Sequence, residues 1–179
     1  MKKCIAIILL LLFIKPGFAQ QSAPSSQELL NAAYKKAAAE NKNILLIFHA
    51  SWCGWCHKMD SSLNDPACKK FFDDHYIITH LTVLESVKMK GQENKGAEEL
   101  LKKYKAFDTG IPFWVILDKE GHLLRDSFLK KANGKAAIIG CPASEKEVSA
   151  FIEILKATSA ITDQELAIIA AIFRLNEKK

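Results

Sequence analysis

Five consecutive apolar residues, Ile44, Leu45, Leu46, Ile47 and Phe48, lead almost directly into the pentapeptide Cys53-Gly54-Trp55-Cys56-His57. No other junction in the chain restricts the fold as much. An unbroken run of branched and aromatic side chains suits a strand covered on both faces, as in the interior of a parallel sheet. In open α/β sheets ligands and chemistry gather beyond the C-terminal ends of the strands, so both cysteines fall where a site is expected. From Gly54 the pattern is helical, with Cys56, Met59 and Leu63 on one face and Cys53 at the helix start.

The flanking pattern repeats this alternation of helix and strand. Ser25 and Glu28 form a capping box ahead of a helix to about residue 40, and Asp65-Pro66 breaks the helix that follows the cysteines. A short helix over 67–74 precedes a strand over 76–84, and two strands joined by helix make a parallel pair. Residues 85–96 read as a surface loop and 97–106 as a helix. A strand over 112–117, a turn at 118–121 and a return arm over 122–128 read as a hairpin. A loop holds Gly134 and Lys135, and Ser144/Glu147 and Thr162/Glu165 open two last helices. The expected class is α/β: a mixed four-stranded sheet covered by helices, with an extra C-terminal helix.

Residues 1–19 have a charged start at Lys2 and Lys3, an apolar run too short to cross a bilayer, and small residues at Gly17 and Ala19. This is the pattern of a secretory signal peptide. The expected division is 1–19 signal peptide, 20–25 flexible leader, 26–157 main domain and 158–179 C-terminal helical extension. Beyond the leader, 22 basic residues face 20 acidic ones, which gives no electrostatic case for nucleic acid. Four cysteines remain there, too few for a disulfide-stapled scaffold of this length, so at least one pair is expected to be chemical. Cys68 and Cys141 are expected as two separate buried thiols, with a second disulfide between them as the alternative that an exported location permits.

Two chemistries use a CxxCH sequence: covalent haem attachment and dithiol exchange. Haem needs a second axial ligand; Met59 is too close to His57 to reach the opposite face, and Met89 lies in a polar stretch. Metal binding by Cys53, Cys56 and His57 lacks a fourth ligand at the usual spacing. A dithiol fits the position better. At a helix start Cys53 has its thiolate stabilised by unpaired N–H groups and the helix dipole, while Cys56 faces inward, so Cys53 is expected to attack and Cys56 to resolve. No cofactor is expected.

The stretch from Phe48 through Trp52-Cys53-Gly54-Trp55-Cys56-His57 to Met59, with Gly110-Ile111-Pro112-Phe113 downstream, resembles the thioredoxin superfamily over residues 25–157. It is most similar to the secreted thioredoxin-like disulfide reductases of bacteria. The resemblance implies a thioredoxin fold without the extra first strand, and a cis Pro112 beside the dithiol that offers backbone to a substrate chain. It also implies that Trp52, Gly54, Trp55, Ile111 and Pro112 form the substrate-binding surface. Two positions depart from the family pattern: Ile47 stands where a buried aspartate would serve the resolving thiol, and Trp55 supplies no positive charge between the cysteines. His57 and Glu85 are the candidates for the proton transfer that the missing acid would have performed.

The expected protein is thus an exported, periplasmic thiol-disulfide oxidoreductase that reduces disulfide-containing protein substrates and is recharged by a membrane-embedded dithiol donor. The alternatives are a disulfide isomerase or oxidase, and a non-catalytic thioredoxin-like client-binding module. The apolar C-terminal helix is expected to pack on its own domain, with a homodimer contact as the alternative.

Overall fold

The computed structural model describes residues 23–129 and 137–178. The leader over 1–19, much of the segment 20–25, and the loop at Gly134 and Lys135 lie outside the described residues. Among the described residues no helix is long and apolar enough to cross a membrane.

The chain begins with helix α1 (Ser26–Glu40), where Ser25 and Glu28 cap each other reciprocally and Asn41 ends the helix in the left-handed conformation. Strand β1 (Asn43–His49) follows, then α2 (Gly54–Leu63), α3 (Lys69–His75) and β2 (Tyr76–Thr82). Helix α4 (Ala97–Lys103) leads to the hairpin of β3 (Phe113–Leu117) and β4 (Leu123–Asp126). Two short strands, β5 (Phe128–Leu129) and β6 (Ala137–Ile138), precede α5 (Glu145–Thr158) and α6 (Asp163–Arg174).

The sheet has the order β2-β1-β3-β4. β1 runs parallel to β2 and antiparallel to β3, with Ile47 opposite His80 on one side and Trp114 on the other. Alternation along β1 divides the core. Leu45 and Ile47 face Met59 and Leu63 of α2, Phe72 of α3, Phe151 of α5 and Phe173 of α6. Ile44, Leu46 and Phe48 face Leu30, Ala33 and Ala37 of α1 and Leu101 of α4. Both faces of the strand are covered, which is why its sequence is apolar throughout.

Three expectations need correction. The hairpin's return arm is not one strand to residue 128. Ser127, fully buried, interrupts it: its hydroxyl accepts from the Trp114 N–H at 3.1 Å and its carbonyl accepts from the Ile139 N–H at 2.7 Å. The chain then turns into a second, two-stranded sheet of β5 and β6. The stretch 85–96 is not a simple surface loop, since it contains a 3-10 helix (Val87–Gln92), and Asn94 is buried with its side chain accepting from the Thr82 N–H and donating to the Pro24 carbonyl. Finally, α4 ends three residues before Ala106, because Tyr104 leaves helical geometry and Lys105 takes a positive φ of 59°.

The two last helices belong to the core. Phe151 and Phe173 lie 4.9 Å apart by ring centroid, and Leu166, Ile169 and Phe173 of α6 are buried against the same cluster as Leu45 and Ile47.

Candidate redox site

Beyond β1 the chain makes a tight turn, with the Cys53 N–H donating to the Ala50 carbonyl at 3.1 Å, and enters α2 with Cys53 as its N-cap. The Cys53 sulfur therefore occupies the place an N-cap oxygen would take and accepts the Cys56 N–H at 3.1 Å. One helical turn later Cys56 comes round beneath it, and the two are joined in a disulfide with Cα atoms 5.2 Å apart. Cys53 is 4% exposed and Cys56 1%. The pair packs with Ala50 and Ile111. The Cys53 sulfur lies 3.7 Å from the Ile111 carbonyl oxygen, and the Ile111-Pro112 peptide is cis.

A cleft of about 360 Å³ opens beside the pair. It is lined by Trp55 from the start of α2, by residues 109–112 around Pro112, by residues 138–141 and by Glu147. A side chain from the core holds the 138–141 part of the lining: the Trp114 indole N–H donates to the Gly140 carbonyl at 2.9 Å. Trp52 and Trp55 sit on the rim, 60% and 47% exposed. Trp52 is fixed by its indole N–H donating to the Leu84 carbonyl at 2.8 Å. A Cβ added at Gly54 would meet nothing within 4 Å, so the backbone there is open to an approaching chain.

Glu85 and His57 both converge on Ser51. Glu85 is buried and accepts from the Ser51 N–H at 2.6 Å and from its hydroxyl at 2.8 Å. The exposed His57 ring contacts the Ser51 carbonyl through Nε2 at 2.9 Å. Both therefore anchor the turn that delivers Cys53.

Ile47 is buried among Met59, Leu63 and Trp114, with no acid at its position. Two residues on, along the same face of β1, His49 lies with its ring 5.1 Å from that of His80, and His80 Nε2 pairs with Asp60 Oδ1 of α2 at 2.8 Å. Burial pushes the His49 imidazole below the usual histidine range, and the neighbouring His80 adds to this.

Cys68 and Cys141 are free and buried. Burial pushes the Cys68 thiol up to about 11 and the Cys141 thiol up to about 12. Three residues outside the expected set also belong to the site. Cys141 and Glu147 line the cleft, and Lys58 places its ammonium 4.1 Å from the centre of the Trp55 ring. A helical i, i+3 spacing between Trp55 and Lys58 was the available signal for that last contact. Among the described residues, Asp118, Glu120 and His122 bring three ligating atoms within 4.8 Å of one another on the exposed β3-β4 turn. There Asp118 already accepts from the Glu120 and His122 backbones, so the cluster is accounted for by turn chemistry.

Two thiols that close into a disulfide at a helix start, beside an open cleft, can exchange electrons with other disulfides. Fold and cysteine pair together define a thiol-disulfide oxidoreductase. The chain belongs to the thioredoxin-like family, whose model matches residues 26–119. Solved structures similar to it include a disulphide isomerase from Xylella fastidiosa Temecula1, 21% identical, covering 64% of this chain and 80% of that one at a TM-score of 0.48. A DsbH oxidoreductase is 24% identical over 80% of this chain and 92% of its own, with a TM-score of 0.44. The oxidised C-terminal domain of DsbD from Neisseria meningitidis is 22% identical over 59% and 84%, with a TM-score of 0.39. No curated protein matches the chain.

Proposed function

We propose that this protein reduces disulfides in exported proteins, with Cys53 as nucleophile and Cys56 as resolving thiol. The observation that carries the assignment of roles is the Cys56 N–H aimed at the Cys53 sulfur at 3.1 Å. In the reduced protein that donor, with the start of α2 behind it, stabilises a thiolate on Cys53 and not on Cys56. The Cys53 thiolate attacks one sulfur of the client disulfide; a new S–S bond joins Cys53 to the client as the client's own S–S bond breaks and its other sulfur leaves as a thiolate. Cys56, deprotonated, then attacks the Cys53 sulfur. The 53–56 disulfide forms, the mixed disulfide breaks, and the second client sulfur leaves. The dithiol has lost two electrons and two protons to the client, and a second dithiol is needed to restore it.

The cleft beside Pro112 is the place for the client chain, with Trp52, Gly54, Trp55 and Ile111 as its contact surface and Glu85 and His57 holding the turn beneath. The leader at 1–19 supports export to the periplasm, where a membrane-embedded dithiol donor would supply the electrons; in this reading residues 26–157 form the catalytic domain and 158–179 an extension built onto it. Trp55, uncharged between the cysteines, favours a reductase. The observation favouring the opposite direction, oxidase or isomerase, is the Lys58 charge held against the Trp55 ring. A homodimer through α6 would have to use exposed Ile168, since the helix's Leu166, Ile169 and Phe173 are already buried in their own core.

Cys56→Ser tests the assignment. It should accumulate a covalent adduct between Cys53 and a disulfide-bearing client such as insulin, visible by non-reducing electrophoresis and located by mass spectrometry. An adduct on Cys68 or Cys141 instead, or none at all, would refute the roles given to the pair.

A further inference from the structure

The C-terminal 3-10 turn (Leu175–Lys178) lies beyond the family-matched portion of the chain, yet it sends one side chain into the protein behind the redox site. Asn176 is 3% exposed. Its amide nitrogen lies 2.9 Å from the Ser62 hydroxyl, 3.4 Å from the Cys141 sulfur and 3.3 Å from the Pro142 carbonyl, so two N–H bonds are shared among three acceptors. Its main-chain carbonyl accepts from Lys58 Nζ at 3.5 Å, and that ammonium covers the Trp55 ring. Two residues earlier Arg174 donates to the Ala143 carbonyl.

These partners fall into two groups. Ser62 and Lys58 belong to α2, the helix that carries Cys56 and supplies Trp55 to the cleft. Cys141, Pro142 and Ala143 belong to the segment after β6, which supplies Ile139, Gly140 and Cys141 to the lining of the same cleft. Asn176 bonds to both segments and is not itself in the lining. A buried asparagine amide is costly to bury unpaired, so its bonds define one spacing between the two segments.

We propose that Asn176 is a positioning residue that sets the separation of these two segments of the cleft, so that the C-terminal turn governs how tightly a client chain is held beside the dithiol. It also holds the segment around Cys141 closed, which keeps that sulfur, 5% exposed, out of disulfide exchange. The proposal rests on the reading of the cleft as the client site. The Cys53-Cys56 pair has its own contacts with Ala50 and Ile111, so binding changes and the exchange chemistry does not.

The test compares Asn176→Ala, the near-isosteric Asn176→Asp, and Ser62→Ala in the full chain, using insulin as protein disulfide, the small disulfide DTNB, glutathione equilibrium, and mass-mapped alkylation of Cys141. Losing the clamp should raise KM for insulin roughly fivefold, the scale of one hydrogen bond. The value of kcat, the DTNB rate and the glutathione equilibrium should stay within about twofold, since the dithiol is untouched. Cys141 alkylation should accelerate by about tenfold as the loosened segment opens and uncovers the sulfur. Ser62→Ala combined with Asn176→Ala should raise KM no further than Asn176→Ala alone, as expected for residues sharing one interaction. An unchanged KM, or kcat and DTNB rate falling together, would overturn the positioning role. If the unaltered protein reduces DTNB but not insulin, the client reading fails and alkylation judges the clamp: faster labelling of Cys141 in the variants supports it, and equal labelling overturns it.

Discussion

Glu85 reaches from the end of β2 to Ser51 and holds it twice, accepting from its backbone N–H at 2.6 Å and from its hydroxyl at 2.8 Å. Ser51 is two residues before Cys53, so the orientation of the dithiol turn depends on a carboxylate 34 residues further along the chain. Glu85→Ala removes the buried carboxylate that pairs with the Ser51 N–H and hydroxyl and should cost about 2–3 kcal/mol. Glu85→Gln keeps an acceptor for the N–H and should cost about 1 kcal/mol. Urea unfolding of the oxidised proteins measures both, and equal losses for the two variants would contradict the pairing.

Stability should fall on acidification through His49. Its folded-state pKa is depressed by burial and by His80, outweighing the opposing charges of Asp60 and Glu85, while His57 adds to the depression. The unfolded chain therefore binds the extra proton first, the native state binds fewer protons, and stability rises with pH across the interval. The loss begins as pH drops through the ordinary histidine value near 6.5 and continues to the lower folded-state value. The Tm of the unaltered protein should fall more between pH 7.5 and pH 5 than that of His49→Asn; parallel falls would remove His49 from the account.

Reduced Cys53 should react with iodoacetamide ahead of Cys68 and Cys141. With values pushed up to about 11 for Cys68 and about 12 for Cys141, thiolate at pH 8 is on the order of one part in a thousand or less. Peptide mapping after a short pulse should find Cys53 labelled and Cys68 and Cys141 protected until guanidinium is added. Early labelling of Cys68 would show that its site is not closed.

Phe173→Ala should destabilise the domain by about 3–5 kcal/mol. The ring is fully buried, 4.9 Å from Phe151 and 6.2 Å from Phe72. A cost below about 1 kcal/mol, the scale of a surface change, would mean that α6 is an appendage. Calorimetric or denaturant unfolding gives the answer.

What could be read from the amino acids alone was whatever depends on near neighbours in the chain. The unbroken run at 44–48 disclosed a doubly covered strand, the Ser25/Glu28, Ser144/Glu147 and Thr162/Glu165 pairs disclosed helix starts, and Cys53 could be set at the start of a helix. What escaped depends on contacts far apart in sequence. Ser127 is one small polar residue in an arm of mixed character that also holds Arg125 and Asp126; only its bonds to Trp114 and Ile139 reveal that it divides the strand. Glu85 looked like the opening of a polar loop, and its burial follows from Ser51 on another element. Asn176, in a polar tail of Asn-Glu-Lys, carries no local sign that its amide is buried 114 residues from its partner Ser62.

The measurement that bears most directly on the central claim is the equilibrium between the Cys53-Cys56 disulfide and glutathione. An uncharged Trp55 between the cysteines and a thiolate stabilised chiefly by one backbone N–H describe a reducing pair, and the potential should lie near about −270 mV. A value near about −120 mV would show that the reduced dithiol is strongly stabilised, with Lys58 the first charge to examine, and that electrons run from client to protein.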